Sequence, residues 1–312
     1  MAEAIDPEVD PTTGEANLGR RLLAEFVGTL LFVGVGAGAA TALLLQFVQV
    51  ETAAGGPGAF GPGESLYRVL LSGGLANVMG VAFAFATILA LLVYALGGIS
   101  GAHFNPAVTF ALAVSRRFRW SEVVPYWLAQ IIGGIAGAFV VAGIYGQADP
   151  SGGEVLLGAT VISEGFSQWQ ALLAEAFIAF ILVTAIMAVA VDPRAPKGWS
   201  GLVIGLALAG GIIVTFAATG GSANFARTLG PLVASLPLDH PDIPWEDLII
   251  YAAGPLIGGA AAALVYEGVT GLEEVAPAPA PGAATPSESE GALVIEEERT
   301  VVTEEEPPPP GT

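Results

Sequence analysis

Six long apolar stretches dominate this chain, at residues 20–48, 70–96, 120–144, 168–191, 199–218 and 245–268. A helix rises about 1.5 Å per residue, so about twenty residues cross a hydrocarbon layer of about 30 Å. Within that layer every backbone N–H and C=O must find a partner inside the protein, which limits spanning structures to helices and closed barrels. Runs this continuous predict six transmembrane helices and an all-α membrane protein. The first run begins too far from the N-terminus and continues too long for a cleaved signal peptide, and no convincing cleavage site accompanies it. Trp120, Trp169, Trp199 and Trp245 stand near the ends of runs, where indole rings anchor at the boundary between lipid and water.

Charge is sparse in this apolar middle and concentrated at the ends. Only 12% of the 312 residues are charged, yet the net charge is −19. Residues 1–19 hold five acids and no base, and residues 272–312 hold ten acids and Arg299. Segments of this kind, acidic at the head and rich in Pro and Glu at the tail (269–312), predict disorder. No basic patch exists, which excludes nucleic acid as a partner. With no Cys, two His and no nucleophile set beside a base, an enzyme is excluded too, and neither a cofactor nor a metal site is expected. The missing cysteines also remove any thiol through which mercury could block the protein.

Alternating the ends of six spans puts Arg20, Arg21, Arg116, Arg117, Arg119, Arg194 and Lys197 on one side, with Arg68 near the other. By the positive-inside rule the first side is cytoplasmic, which makes both termini cytoplasmic. The outer loops then carry Glu51, Glu64, Asp149, Glu154, Glu164, Asp239, Asp242 and Asp247. The expected location is the plasma membrane.

The sequence repeats itself. Ala24-Glu25-Phe26 in the first run is echoed by Ala174-Glu175-Ala176-Phe177 in the fourth, and Gln130-Ile131-Ile132-Gly133-Gly134 in the third by Pro255-Leu256-Ile257-Gly258-Gly259 in the sixth. The repeats cover about 20–145 and 168–268. Each holds three spans, an odd number, so the second must enter the membrane inverted. Each also holds one apolar segment of half the spanning length, starting at Asn105-Pro106-Ala107 and Asn224-Phe225-Ala226. Segments this short can only re-enter. Asn is a strong N-cap, and Pro suits the first helical position because its missing N–H would have had no partner there. Both segments therefore read as half-helices whose starts meet near the midplane. Each start presents unpaired N–H groups and the positive end of a helix dipole.

The stretch Gly98 to Thr109, with Asn105-Pro106-Ala107 at its centre, and the stretch Asn224-Phe225-Ala226-Arg227-Thr228-Leu229-Gly230-Pro231 resemble the two Asn-Pro-Ala loops of the aquaporin, or major intrinsic protein, family. The resemblance covers about residues 20–268. It implies an aquaporin-like right-handed bundle of six transmembrane helices and two re-entrant half-helices, assembled as a homotetramer with one pore per subunit. It implies a passive channel for water and small uncharged solutes that excludes ions and protons. Such exclusion by an Arg and half-helix dipoles is the general account of aquaporin-type pores, taken over here as it stands. By the same resemblance Asn105 and Asn224 direct amides to the permeant molecule. Glu25 and Glu175 hold the loops, Gln130 assists, and His103 contributes its backbone carbonyl to the pore wall.

Counting back from each Asn along the family pattern gives an outer constriction of Phe85, Ile212, Gly221 and Arg227. A shift of one residue would replace Ile212 by Gly211. One aromatic, one branched aliphatic and one Gly resemble the plant nodulin-like intrinsic proteins, which pass small uncharged solutes, some including metalloid acids; for this chain the resemblance implies solutes such as glycerol, urea or metalloid acids. The second loop departs from the pattern, with Phe225 in place of Pro, and a larger ring must then be accommodated near Pro106. Two other readings use the same scaffold: a secondary active transporter, which needs carboxylates facing the pathway, and a non-conducting junction protein closed by Phe225.

Acid on every water-facing surface keeps such a surface hydrated, and dissolved salt screens its self-repulsion, as suits a salt-loving organism. Loss of activity or aggregation is therefore expected when the reconstituted protein is moved from molar to low salt, monitored by light scattering and vesicle shrinkage; unchanged behaviour without salt contradicts the habitat reading.

Overall fold

The computed structural model describes residues 16–53, 66–146, 157–238 and 243–272. Most of the acidic head and tail lies outside these residues, as do Glu64, Asp149, Glu154, Asp239, His240 and Asp242. The described chain forms helices α1 (Leu18–Ala53), α2 (Leu66–Ser100), α3 (Pro106–Val114), α4 (Trp120–Tyr145), α5 (Gln168–Ile186), α6 (Ser200–Thr219), α7 (Phe225–Ser235) and α8 (Leu248–Thr270). A π-helical turn at Met187–Val191 continues α5, and a 3₁₀ turn at Trp245–Asp247 leads into α8.

Six of these elements are long and apolar enough to cross a membrane, and α3 and α7 are the two half-length ones. The boundaries differ from expectation mainly in α1, which runs on to Ala53 and takes Glu51 out of the outer loop and into the helix. No glycine or proline stands between Gly38 and Gly55, so nothing breaks the helix at the end of its apolar run. Local signals set other ends. Ser167 and Gln170 form a reciprocal capping box at the start of α5, and α6 and α8 end at Gly220 and Gly271 in the left-handed region.

The packing follows the sequence repeat. Helix α1 lies on α4 as α5 lies on α8; α1 meets α2 as α5 meets α6; and α2 meets α6 across the pseudo-twofold relation. The half-helices cross over: α3 packs chiefly on α8 of the other repeat, and α7 on α4. Paired glycines permit both contacts at once. A Cβ at Gly133 would collide with the Phe26 carbonyl of α1, and one at Gly134 with the Ala226 carbonyl of α7. In the second repeat Gly258 lies against Ala176 of α5, while Gly259 faces Ala107 and Ala111 of α3. Without side chains at these positions, each third span carries its own first span on one side and the opposite half-helix on the other.

The outward faces are apolar, with Leu128, Ile132, Val214 and Ile249 exposed, as a surface in contact with lipid requires. Trp120, Trp169, Trp199 and Trp245 stand exposed at span ends. Polar ties gather at the base-rich ends of the spans. Arg21 pairs with Glu122 at 2.8 Å, and Arg117 pairs with Glu267. Asp192, just past the turn that ends α5, accepts from the Arg194 side chain and backbone N–H and from the Tyr266 hydroxyl. Those bonds, Arg194 foremost, hold its carboxyl well below the usual range.

Glycine positions divide sharply by neighbour. Gly258→Ala is expected to destabilise the protein by about 1–3 kcal/mol, because the obstacle is backbone that cannot rotate away. Gly210→Ala, with nothing within 4 Å, is expected to be neutral or to stabilise by about 0.4–1 kcal/mol. Thermal unfolding of both variants in detergent checks the contrast.

Candidate functional site

The loops that lead into α3 and α7 have one backbone design. Gly101, Ala102 and Phe104 take positive φ before Asn105, and Gly220, Gly221 and Ala223 do so before Asn224. Left-handed alanine and phenylalanine cost energy, so surrounding bonds must hold them. Those bonds converge on two buried carboxylates. Glu25 Oε1 accepts from the Ser100 hydroxyl at 2.6 Å and the His103 N–H at 3.0 Å. Its Oε2 accepts from the Phe104 N–H at 2.7 Å and from Gln130 Nε2 at 2.8 Å. Glu175 repeats the arrangement, accepting from the Thr219 hydroxyl, the Ser222 N–H and the Ala223 N–H at 2.7, 3.0 and 2.8 Å. Both carboxylates are fully buried.

Gln130 also donates to Thr109 Oγ1, which bonds the ring Nδ1 of His103. The second repeat has Pro255 in the position of Gln130; there Thr228 instead meets the hydroxyls of Ser222 and Thr160. The ring of His103 is buried against Phe118 and Tyr126.

Each Asn caps its own half-helix and reaches into the other loop. Asn105 has φ −155° and ψ 122°, and Asn224 has φ −152° and ψ 110°. Asn105 Oδ1 accepts from the Ala107 N–H, while Asn224 Oδ1 accepts from the N–H groups of Ala226 and Arg227. Asn105 Nδ2 donates to the Ala223 carbonyl at 2.8 Å, and Asn224 Nδ2 donates to the Phe104 carbonyl at 2.9 Å. These two reciprocal bonds join the half-helix starts. An amide nitrogen carries two hydrogens, so each Asn keeps one further donor.

Both Asn residues line a cavity of about 580 Å³, part of it open to solvent. From the Asn pair it extends between the last turns of α2 and α5 and the first turns of α6, past Val93, Ala190 and Ile204, toward the base-rich face. Ala102, His103, Phe104 and Ser222 join its wall; Glu25 and Glu175 do not.

Phe225 does not line this cavity. With Pro106, Ala107, Trp127, Tyr251 and Leu256 it lines a separate apolar pocket. The capping angles of the two half-helices agree within about 12° despite the missing proline, because Asn224 supplies the cap whatever follows it.

The residues of the expected constriction meet in two pairs, Gly221 with Ile212 and Arg227 with Phe85. Gly221 lies against the backbone of Ile212, its φ of +65° in the region that favours glycine. Gly211 instead faces Ile178 of α5. The Arg227 guanidinium lies 4.9 Å from the Phe85 ring centroid and donates from one terminal nitrogen to the Gly158 carbonyl at 2.8 Å. All four residues are buried.

This geometry can be set beside known proteins. The family model of the major intrinsic proteins matches residues 13–266. Aquaporin AqpM of Methanothermobacter marburgensis is 41% identical over 257 residues, which cover 81% of this chain and 98% of that protein. The chain belongs to the major intrinsic protein family, the aquaporins. Aquaporin NIP2-1 of rice is 38% identical over 188 residues, 60% of this chain and 58% of that protein. The solved structure of the aquaglyceroporin from Plasmodium falciparum has the same fold, with a TM-score of 0.63, 21% identity, and coverage of 81% of this chain and 97% of that one.

Several residues that bond to this aquaporin's loops or filter carry no mark of that role in the sequence. Tyr126 and Tyr251 donate their hydroxyls to the carbonyls of Ser100 and Thr219, at 3.0 and 2.8 Å. Extending the repeat register would have found them, since each stands four residues before the matched Gln130 or Pro255. Gly158, the carbonyl partner of Arg227, had no signal at all.

Replacing Glu175 by Ala leaves the Ser222 and Ala223 N–H groups without their acceptor, at roughly 1–3 kcal/mol for each orphaned donor. The expected outcome is a markedly lower unfolding temperature in detergent; an undiminished one, with altered proton flux instead, would mean that Glu175 acts as a proton relay.

Proposed function

We propose that this aquaporin lets water and small uncharged solutes diffuse passively down their gradients through the passage between the two half-helix starts. The observation that carries the reading is the pair of Asn residues, each capping one half-helix, bonded to the opposite loop and lining the cavity. A permeating oxygen that accepts from both remaining amide hydrogens uses its lone pairs there. Its own hydrogens must point outward along the passage, which interrupts a chain of proton-conducting bonds. The positive ends of two half-helices add repulsion for any cation.

Coupled transport finds no support. It needs ionisable groups on the pathway, whereas Glu25 and Glu175 are fully buried and occupied with loop N–H groups and hydroxyls. Closure by Phe225 finds none either, since Phe225 lines the lateral pocket and not the cavity.

The finer assignments are part of the proposal. Phe85, Ile212, Gly221 and Arg227 form the selectivity filter, and Asn105, Pro106, Ala107, Asn224, Phe225 and Ala226 form the pore centre. Glu25, Glu175, Gln130 and His103 support the loops. A branched aliphatic at 212 and a bare glycine at 221 leave a filter wide enough for glycerol, urea or boric acid as well as water. The channel domain covers about 20–268, with acidic extensions before and after it. The protein assembles as a homotetramer in the plasma membrane, with both termini on the cytoplasmic side. Base-rich span ends on the face of Arg20, Arg116 and Arg194 support that orientation.

Stopped-flow measurement on proteoliposomes with an impermeant osmolyte, glycerol, urea and boric acid tests the reading. Fast water flux and measurable flux of at least one solute are expected. Substituting Ile212→His should lower solute flux about tenfold relative to water, the effect of ~1.4 kcal/mol on a barrier. Permeation of water alone by the native protein contradicts the wide filter.

A further inference from the structure

We infer that Gly36 of α1 sets how far the Phe85 ring stands out into the filter, and so acts as a positioning residue for the size of solute admitted. The inference rests on the filter assignment proposed above. Helix α1 contains Gly34, Gly36 and Gly38, and their surroundings differ. A Cβ at Gly34 would meet the Gly137 backbone at 3.7 Å, and one at Gly38 would meet Val141 at 3.6 Å, both ordinary contacts. A Cβ at Gly36 would fall among the Cδ1, Cε1 and Cζ atoms of Phe85. The ring therefore occupies the volume that any other residue at 36 would fill.

What surrounds the ring decides where it could go. Phe32 of α1 lies against it with centroids 5.1 Å apart and planes at 58°, and the Arg227 guanidinium lies 4.9 Å from its centroid. Arg227 is itself tied to the Gly158 carbonyl, and Gly158 is wedged against Ala37 and Ala40 of α1. The ring is thus held between α1 and the filter arginine, and Phe85 is only 2% exposed. A methyl group at 36 moves it off α1 toward Arg227, which narrows the constriction from its aromatic wall. Solutes of glycerol size lose more from this than water does, because a single-file water needs less width. The slot at Gly36 thus contributes to specificity without touching the permeant molecule.

The test compares glycerol and water permeability in the same proteoliposomes for the native protein, Gly34→Ala, Gly36→Ala, Gly38→Ala, Phe85→Leu and the double variant Gly36→Ala/Phe85→Leu. Gly36→Ala is expected to lower the glycerol-to-water ratio roughly tenfold, within the range that overpacking produces. Gly34→Ala and Gly38→Ala are expected to keep the native ratio. Phe85→Leu raises the ratio, and the double variant returns to the native ratio or exceeds it, because the smaller side chain clears the new methyl. A native ratio in Gly36→Ala, or a fall that persists in the double variant, overturns the inference. If Gly36→Ala cannot be reconstituted, the double variant decides: folding and solute flux restored by the smaller side chain support the steric relation, and continued failure overturns it. Phe85→Leu separates the two claims. A changed ratio there beside an unchanged one in Gly36→Ala refutes the positioning role alone, whereas an unchanged ratio in Phe85→Leu refutes the filter assignment and with it the inference.

Discussion

Two carboxylates buried at membrane depth hold the site together. A re-entrant half-helix needs a non-helical loop to reach its start, and irregular backbone in hydrocarbon leaves N–H groups that water cannot reach. Glu25 and Glu175 satisfy those groups and fix Ala102, Phe104, Gly221 and Ala223 in left-handed conformations. An isolated buried charge is very costly. Here four hydrogen bonds to Glu25 and three to Glu175 offset the cost. The Asn caps, their cross-loop bonds and the cavity wall all follow from loops held in this way.

Backbone proximity is the second constraint. Each third span touches both its own first span and the other repeat's half-helix; a Cβ at Gly133, Gly134 or Gly258 would collide with backbone, and one at Gly259 would make a tight contact with α3. Small residues matter in membrane proteins because close van der Waals packing drives helix association where a hydrophobic gain between helices is lacking. The same logic accounts for the slots at Gly28 and Gly36, which receive the rings of Phe104 and Phe85. One ring belongs to the loop at the Asn pair and the other to the filter, so α1 shapes the first region through Gly28 as well as Glu25 and the second through Gly36.

Much of this was legible in the sequence because it depends on local chemistry or on repetition. Asn105 and Asn224 announce their caps, Pro106 its first helical turn, and half-length apolar runs their re-entry. An odd number of spans in each repeat requires inversion. The matched Glu25 and Glu175 were visible for the same reason. Tyr126 and Tyr251 obey the repeat register as well, but tyrosine in an apolar run carries no mark of what its hydroxyl bonds. Helix α1 continues past its apolar run because apolar length measures the membrane, whereas a helix continues while no breaker interrupts it, and no Gly or Pro stands between Gly38 and Ala53.

The sequence by itself determined six spans, two inverted repeats and two capped half-helices, since each follows from length, periodicity or capping within a few residues, whereas the service of Glu25 and Glu175 to the loops was implied only by the family resemblance. Tertiary structure decided the rest: that Phe225 lines a lateral pocket beside an intact Asn cap, that Ile212 and not Gly211 stands beside Gly221, that Gly158 holds Arg227, and that Gly36 rather than Gly34 or Gly38 receives Phe85. The physical reason is common to all four. Each depends on the rotation of one helix or loop against another segment distant in the chain, and that rotation is fixed by packing between surfaces, which no local pattern of residues encodes.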